Sequence, residues 1–197
     1  KKIIIFLLSK IGYELQNIEQ KKKLTSYDFG DEAEFAIKKV KKYTMVSREP
    51  LITLYQQVRH CELNNIEGCY VECGTWKGGA AGIMAQASQK YQLKPRHIYL
   101  FDSFEDICEP DPLIDGKKAI YEAKQFANLN SKQISGRLKP MSGYYDSFGG
   151  HGTKEDVENL FLNELSYPSQ YLHIHKGWFQ ETLPLVQSQV GKIAILR

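Results

Sequence analysis

The 197-residue sequence predicts an α/β fold with a parallel sheet and helices on both faces. Two patterns carry this. From Gly68 onward, short apolar runs alternate with amphipathic ones, as in a chain that winds strand, helix, strand. The polar residues with chemical promise also fall at the ends of those apolar runs. Ligands in open parallel sheets bind there, beyond the strands' carboxyl ends.

The length fits one domain with a sizeable core. Residues 1–43 read as an N-terminal helical or lid region and residues 44–197 as the ligand-binding domain. In the first, Ile4, Leu7, Leu8, Ile11 and Leu15 recur at helical spacing. The apolar run from Ile3 to Leu8 is far below the ~20 residues a membrane span needs, and no small-residue cleavage site follows it. A helix packed on this domain or on a second subunit is expected, which makes a homo-oligomer possible.

A polar stretch, Glu19–Asp31, leads to a short helix over Glu32–Tyr43. "TMVSREP" breaks it. Leu51, Leu54, Tyr55, Val58 and Cys61 mark the next helix, which Asn64, Asn65 and Gly68 end. "GCYVEC" is the first strand, and "GGAAGIMAQASQKYQL" a helix with small residues where it passes close to the sheet. "RHIYLFD" is the second strand. A long insertion follows: turn-rich "CEPDPLIDG", a helix around Ala119–Leu129, and the glycine-rich "GYYDSFGGHGT". Thr153 stands three residues before Asp156, a capping-box spacing, and Val157, Leu160, Phe161 and Leu165 continue that helix. "YLHIHKG" and "KIAILR" are the third and fourth strands.

A net charge of +3 is too small to argue for nucleic acid, and the lysine runs at 21–23 and 38–42 read as solvated helix faces. The four cysteines, Cys61, Cys69, Cys73 and Cys108, match no zinc spacing. They read as small buried thiols in a reducing compartment, most simply the cytoplasm. His173 and His175 share a strand face. A metal pair is imaginable there, but packing against neighbours is the expectation. His151, in the glycine-rich loop, is a candidate for an acceptor pocket.

The turn "YVECGTWKGG" decides the ligand class. Its glycines admit close backbone approach. It lacks the G-x-G-x-x-G of a dinucleotide site and has no P-loop, because Trp76 and Lys77 fill the space. A ligand with an amino-acid end and no phosphate fits better. S-adenosylmethionine is such a ligand: Glu72 faces its cationic end, the Gly74–Thr75 backbone its carboxylate, and Asp102 both ribose hydroxyls.

The stretches "TMVS", "VECGTWKGG", "FDSFED", "EPDPLIDG", "KGWFQETLP" and "IAILR", in that order, resemble the macrocin O-methyltransferase family. The resemblance implies a class I methyltransferase, Rossmann-like fold with S-adenosylmethionine as methyl donor and a hydroxyl of a sugar or glycosylated small molecule as acceptor. It implies donor contacts by Thr44 and Met45 from a lid-like segment and by Glu72, Cys73, Gly74, Thr75 and Trp76 at the methionine end. Asp102, Ser103, Phe104, Glu105 and Asp106 would lie around the ribose, and Glu181 and Thr182 near the adenine or the site mouth. Trp178 and Phe179 suit core packing as well as ligand contact.

In the resembled family an acidic run directly after the fourth strand binds metal, and the full sheet has seven strands ordered 3-2-1-4-5-7-6. Mg2+ is therefore expected in a full-length protein, with its ligands and the catalytic base beyond Arg197 and no metal ligands within this chain. The chain reads as truncated after its fourth strand and is expected to be inactive alone. The alternative is a partial or decayed methyltransferase fold serving as a binding or assembly module.

Overall fold

The computed structural model describes residues 30–92, 94–126 and 139–197. The expected N-terminal apolar helix, the lysine run at 21–23 and the end of the helix expected at Leu129 lie outside them. The chain divides into two compact units, Lys1–Glu32 and Ala33–Arg197, and the second holds the sheet.

The elements are α1 (Gly30–Val40), α2 (Arg48–Leu63), β1 (Cys69–Cys73), α3 (Gly79–Tyr91), β2 (Ile98–Asp102), α4 (Gly116–Phe126), α5 (Lys154–Glu158), β3 (Leu172–Lys176), α6 (Phe179–Val190) and β4 (Ile193–Leu196). The strands form one sheet in the order β3-β2-β1-β4, and every pairing is parallel.

Side chains alternate across a strand, so each strand feeds two cores. Tyr70, Ile98 and Leu100 face one side and pack with Leu51, Ile52, Tyr55 and Val58 of α2 and with Ala80, Ala81, Ile83 and Met84 of α3. The run of small residues in α3 lets that helix lie close to its neighbours: a Cβ on Gly82 would sit 2.9 Å from Val40 Cγ1. Cys69, Val71, Tyr99 and Phe101 face the other side, where Val186 of α6 covers them.

Helix α6 is absent from the sequence-based reading. Pro184 lies inside it and reads as a breaker, since proline removes a backbone donor. Its Leu183 and Leu185 are exposed, which hides the helical period. The Thr153–Asp156 capping box forms as expected, and α5 then widens into a π-helical turn over Asn159–Glu164. That turn buries Leu160 and Phe161.

A buried polar network pins the amino ends of the strands. Glu62 of α2 accepts the Tyr70 hydroxyl at 2.6 Å and the Arg96 guanidinium at 2.8–2.9 Å, and Arg96 also donates to the Gly68 carbonyl. The carboxyl ends are left free to carry loops.

Candidate functional site

Three loops leave the carboxyl ends of β1, β2 and β3 and meet around a cleft of about 800 Å³. Gly74 follows β1, Asp102 closes β2, and Gly177 with Trp178 follows β3; all four line it. The outer wall is the insertion after β2. It is held by a short antiparallel contact in which Glu109 N–H donates to Lys139 O and Met141 N–H to Ile107 O, at 2.9 and 2.8 Å.

Asp102 organises the floor. One carboxylate oxygen accepts the Trp76 N–H and the other the Phe104 N–H, each at 2.8 Å. Both donors are non-glycine residues with φ near +51°, a left-handed conformation that costs about 1–2 kcal/mol in an L-residue. Asp102 thus holds two strained loops together across the sheet, and Gly177 N–H donates to its backbone carbonyl at 2.9 Å.

Glu72 and Asp102 lie on the same sheet face, since Glu72 pairs with Leu100 and Asp102 is two residues on. Their surroundings differ. Asp102 lines the cleft, whereas Glu72 is 1% exposed and bonds the guanidinium of Arg197. Burial pushes its carboxyl up to about 7, against the pull of Arg197.

Of the other residues expected at the site, Gly74, Ser103 and Glu105 line the cleft. Thr75 is buried and donates to Phe101 O at 3.4 Å. Cys73 packs on the opposite sheet face, and Phe104 belongs to the core. Trp76 donates its indole N–H to Gly150 O at 3.3 Å. Asp106 stands 3.8 Å from His151 Nδ1. Thr44 abuts the start of α3, where a Cβ on Gly79 would come within 2.6 Å of its own Cβ. Met45 is 45% exposed, so it is not a core residue. Thr182 donates to Trp178 O at 3.0 Å, and Glu181 is exposed. None of Thr44, Met45, Glu181 and Thr182 lines the cleft.

The insertion contributes more than its sequence suggests. Glu109, Asp111, Asp115 and Glu122 join Asp102 and Glu105 in the cleft wall, with no lysine or arginine among the described lining residues. Tyr144, Tyr145, Trp178 and Phe179 supply aromatic surface there. Burial and the nearby Asp102 raise the Tyr145 hydroxyl. The clue in the sequence is the acid density of "CEPDPLIDG", which turn signals alone do not place on one wall.

The histidines lie elsewhere. His173 stacks on Tyr99 and His175 on Phe101, with centroids 4.3 and 4.8 Å apart. Burial lowers both pKa values. His173 also meets His97, ring nitrogen to ring nitrogen, at 2.8 Å. Among the described residues no three His, Cys, Asp or Glu side chains are grouped to hold a metal ion, and no helix is long and apolar enough to cross a membrane.

Residues 8–140 match the family described as Macrocin-O-methyltransferase (TylF). Over 158 residues the chain is 25% identical to demethyldecarbamoylnovobiocin O-methyltransferase of Streptomyces niveus, a match covering 79% of this chain and 50% of that protein. It is 23% identical over 158 residues to the 8-demethyl-8-(2,3-dimethoxy-alpha-L-rhamnosyl)-tetracenomycin-C 4'-O-methyltransferase of Streptomyces olivaceus, covering 79% and 51%. The chain spans about half the length of the curated relatives it matches. The structure of the O-methyltransferase NovP superimposes with a TM-score of 0.54 at 25% identity, over 79% of this chain and 55% of that one. With the parallel sheet order, the helices on both faces and a match over residues 8–140, the chain belongs to the macrocin O-methyltransferase (TylF) family.

Proposed function

We propose that this chain forms the S-adenosylmethionine-binding part of an O-methyltransferase whose acceptor is a hydroxyl on the sugar of a glycosylated small molecule. The observation that carries the reading is the cleft at the strands' carboxyl ends, walled by six carboxylates with no lysine or arginine among the described residues that line it. Such a wall favours a cationic ligand, and the donor carries both an ammonium and a sulfonium. Its carboxylate suits the Gly74–Thr75 backbone and the amino end of α3, where unsatisfied N–H groups favour an anion. Each Asp102 oxygen has accepted one N–H and keeps a lone pair for a ribose hydroxyl. Tyr145, Trp178 and Phe179 offer flat surfaces for an adenine. Ser103, Glu105 and Asp106 would border the ribose, Thr44 and Met45 would approach from the segment over α3, and Glu181 and Thr182 would sit at the mouth.

When bound, the donor supplies a methyl group on a positively charged sulfur. The work of the chain is to hold that carbon in line with the acceptor oxygen and keep water out, and positioning of this kind supplies ~7–11 kcal/mol of a barrier. Among the described residues no cluster fits Mg2+. The acceptor class is supported by the name of the Streptomyces olivaceus relative, which specifies a rhamnosyl group.

Titration calorimetry with S-adenosylmethionine and S-adenosylhomocysteine tests the reading. Saturable one-to-one binding is expected for both. Trp178→Ala should weaken both about tenfold, ~1.4 kcal/mol. Glu105→Lys should weaken the sulfonium more than the neutral thioether. Absence of binding by either compound overturns it.

A further inference from the structure

We propose that Arg197 is a positioning residue for this site: through its ion pair it lets the buried Glu72 carboxyl ionise near neutral pH and orients it beneath the turn that joins β1 to α3. The inference rests on the donor-binding reading for its functional consequence, not for its physical basis.

Glu72 is the more deeply buried of the two strand-end acids, at 1% exposure, while the Arg197 side chain is 36% exposed. Its Oε1 accepts from the Arg197 guanidinium, and its Oε2 has no hydrogen-bond partner among the described residues. The Ala81 N–H, in the first turn of α3, adds a weaker pull toward the charged form. The other ionisable neighbours oppose it: Asp102 from β2 and Cys73 from its own strand. Among the described residues Arg197 is therefore the cation that answers Glu72.

Arg197 is placed for the task by backbone as well as charge. Its N–H donates to Val71 O, and Cys73 N–H donates to its carbonyl, at 2.9 and 2.8 Å. The residues on either side of Glu72 are thus locked to β4, and the guanidinium has a short path to the carboxylate. With Glu72 ionised, the pair is neutral as a unit. Attraction for a cationic ligand then comes from Asp102 and the cleft wall, while Glu72 fixes the geometry of the Gly74–Gly79 turn.

The test is a pH series on wild type, Arg197→Lys, Arg197→Gln and the double variant Glu72→Gln/Arg197→Gln. Removing an opposite charge at this range moves a carboxyl upward by ~1–3 pH units. Between pH 7 and 9 the wild type should lose little stability through Glu72, whose carboxyl already titrates at about 7. Arg197→Gln should lose stability steadily as its buried carboxyl is forced to ionise. Arg197→Lys should restore most of the wild-type profile, and the double variant should lack the extra slope of Arg197→Gln because no carboxyl is left to ionise. S-adenosylhomocysteine affinity should follow the same four profiles. A flat Arg197→Gln profile, or a double variant that keeps the slope, overturns the proposal. Absence of binding in every variant, including wild type, strikes the donor-binding reading alone, because the urea series still decides the role of Arg197.

Discussion

At the scale of single residues, Asp102 does two things that the sequence shows only one of. A carboxylate at a strand end is legible as a ribose acceptor. Its other task, accepting two backbone N–H groups from two left-handed residues, depends on where the chain returns, and no local pattern encodes that. Asp102→Asn separates the two tasks. The amide keeps one acceptor but turns a donor toward Trp76 or Phe104. Leaving a partly buried N–H unsatisfied costs about 1–3 kcal/mol. The unfolding free energy from urea titration should therefore fall by that amount with no ligand present. Asp102→Glu keeps both acceptors but misplaces them, and should lose ligand affinity as well as stability. An Asp102→Asn variant as stable as wild type would mean that the two loops hold themselves.

At the scale of elements, the β1–α3 turn is kept in shape by what lies over it. The glycine-rich loop packs so closely that a Cβ on Gly152 would fall 2.1 Å from Trp76 O, and Lys77 donates to Gly149 O at 2.8 Å. Gly152→Ala must push the loop away from the turn. Overpacking of this kind costs about 1–3 kcal/mol, and amides from Gly149 to Thr153 should exchange with solvent faster than in wild type. Gly150→Ala, which meets nothing within 4 Å but carries a φ of +87°, should leave the Gly152 packing intact. The strands, α2, α3 and the capping box were legible because each has a local cause: apolar runs of strand length, a helical stripe, a Thr–Asp spacing. The glycines of the β1–α3 turn were legible as close-approach points but not their partners, since Gly79 meets Tyr43 and Thr44, and nothing local marks the contact of Gly152 with Trp76. Helix α6 and the acidic wall were not legible, because Pro184 masks the one and long-range docking of the insertion creates the other.

At the scale of the whole molecule, buried ionisable groups on the two sheet faces pull stability in opposite directions with pH. Burial lowers the pKa of His173 and His175. Below about pH 6.5 the unfolded chain therefore binds more protons at these positions than the folded one, and stability falls as pH falls. Burial raises Glu72 from 4.5 to about 7. Between those values the folded chain holds the extra proton, and stability falls as pH rises. Each proton difference is worth at most about 1.4 kcal/mol per pH unit. The wild type should show a shallow profile from pH 5 to 7 because the slopes oppose. Glu72→Gln removes one of them, so its urea midpoint should climb with pH across that window. Adding His175→Gln, which keeps a planar polar group beside Phe101, should lessen the climb and leave the share of His173. A Glu72→Gln profile parallel to wild type would show that Arg197 already holds Glu72 fully ionised at pH 5, and that the histidine face alone sets the acid limit of the fold.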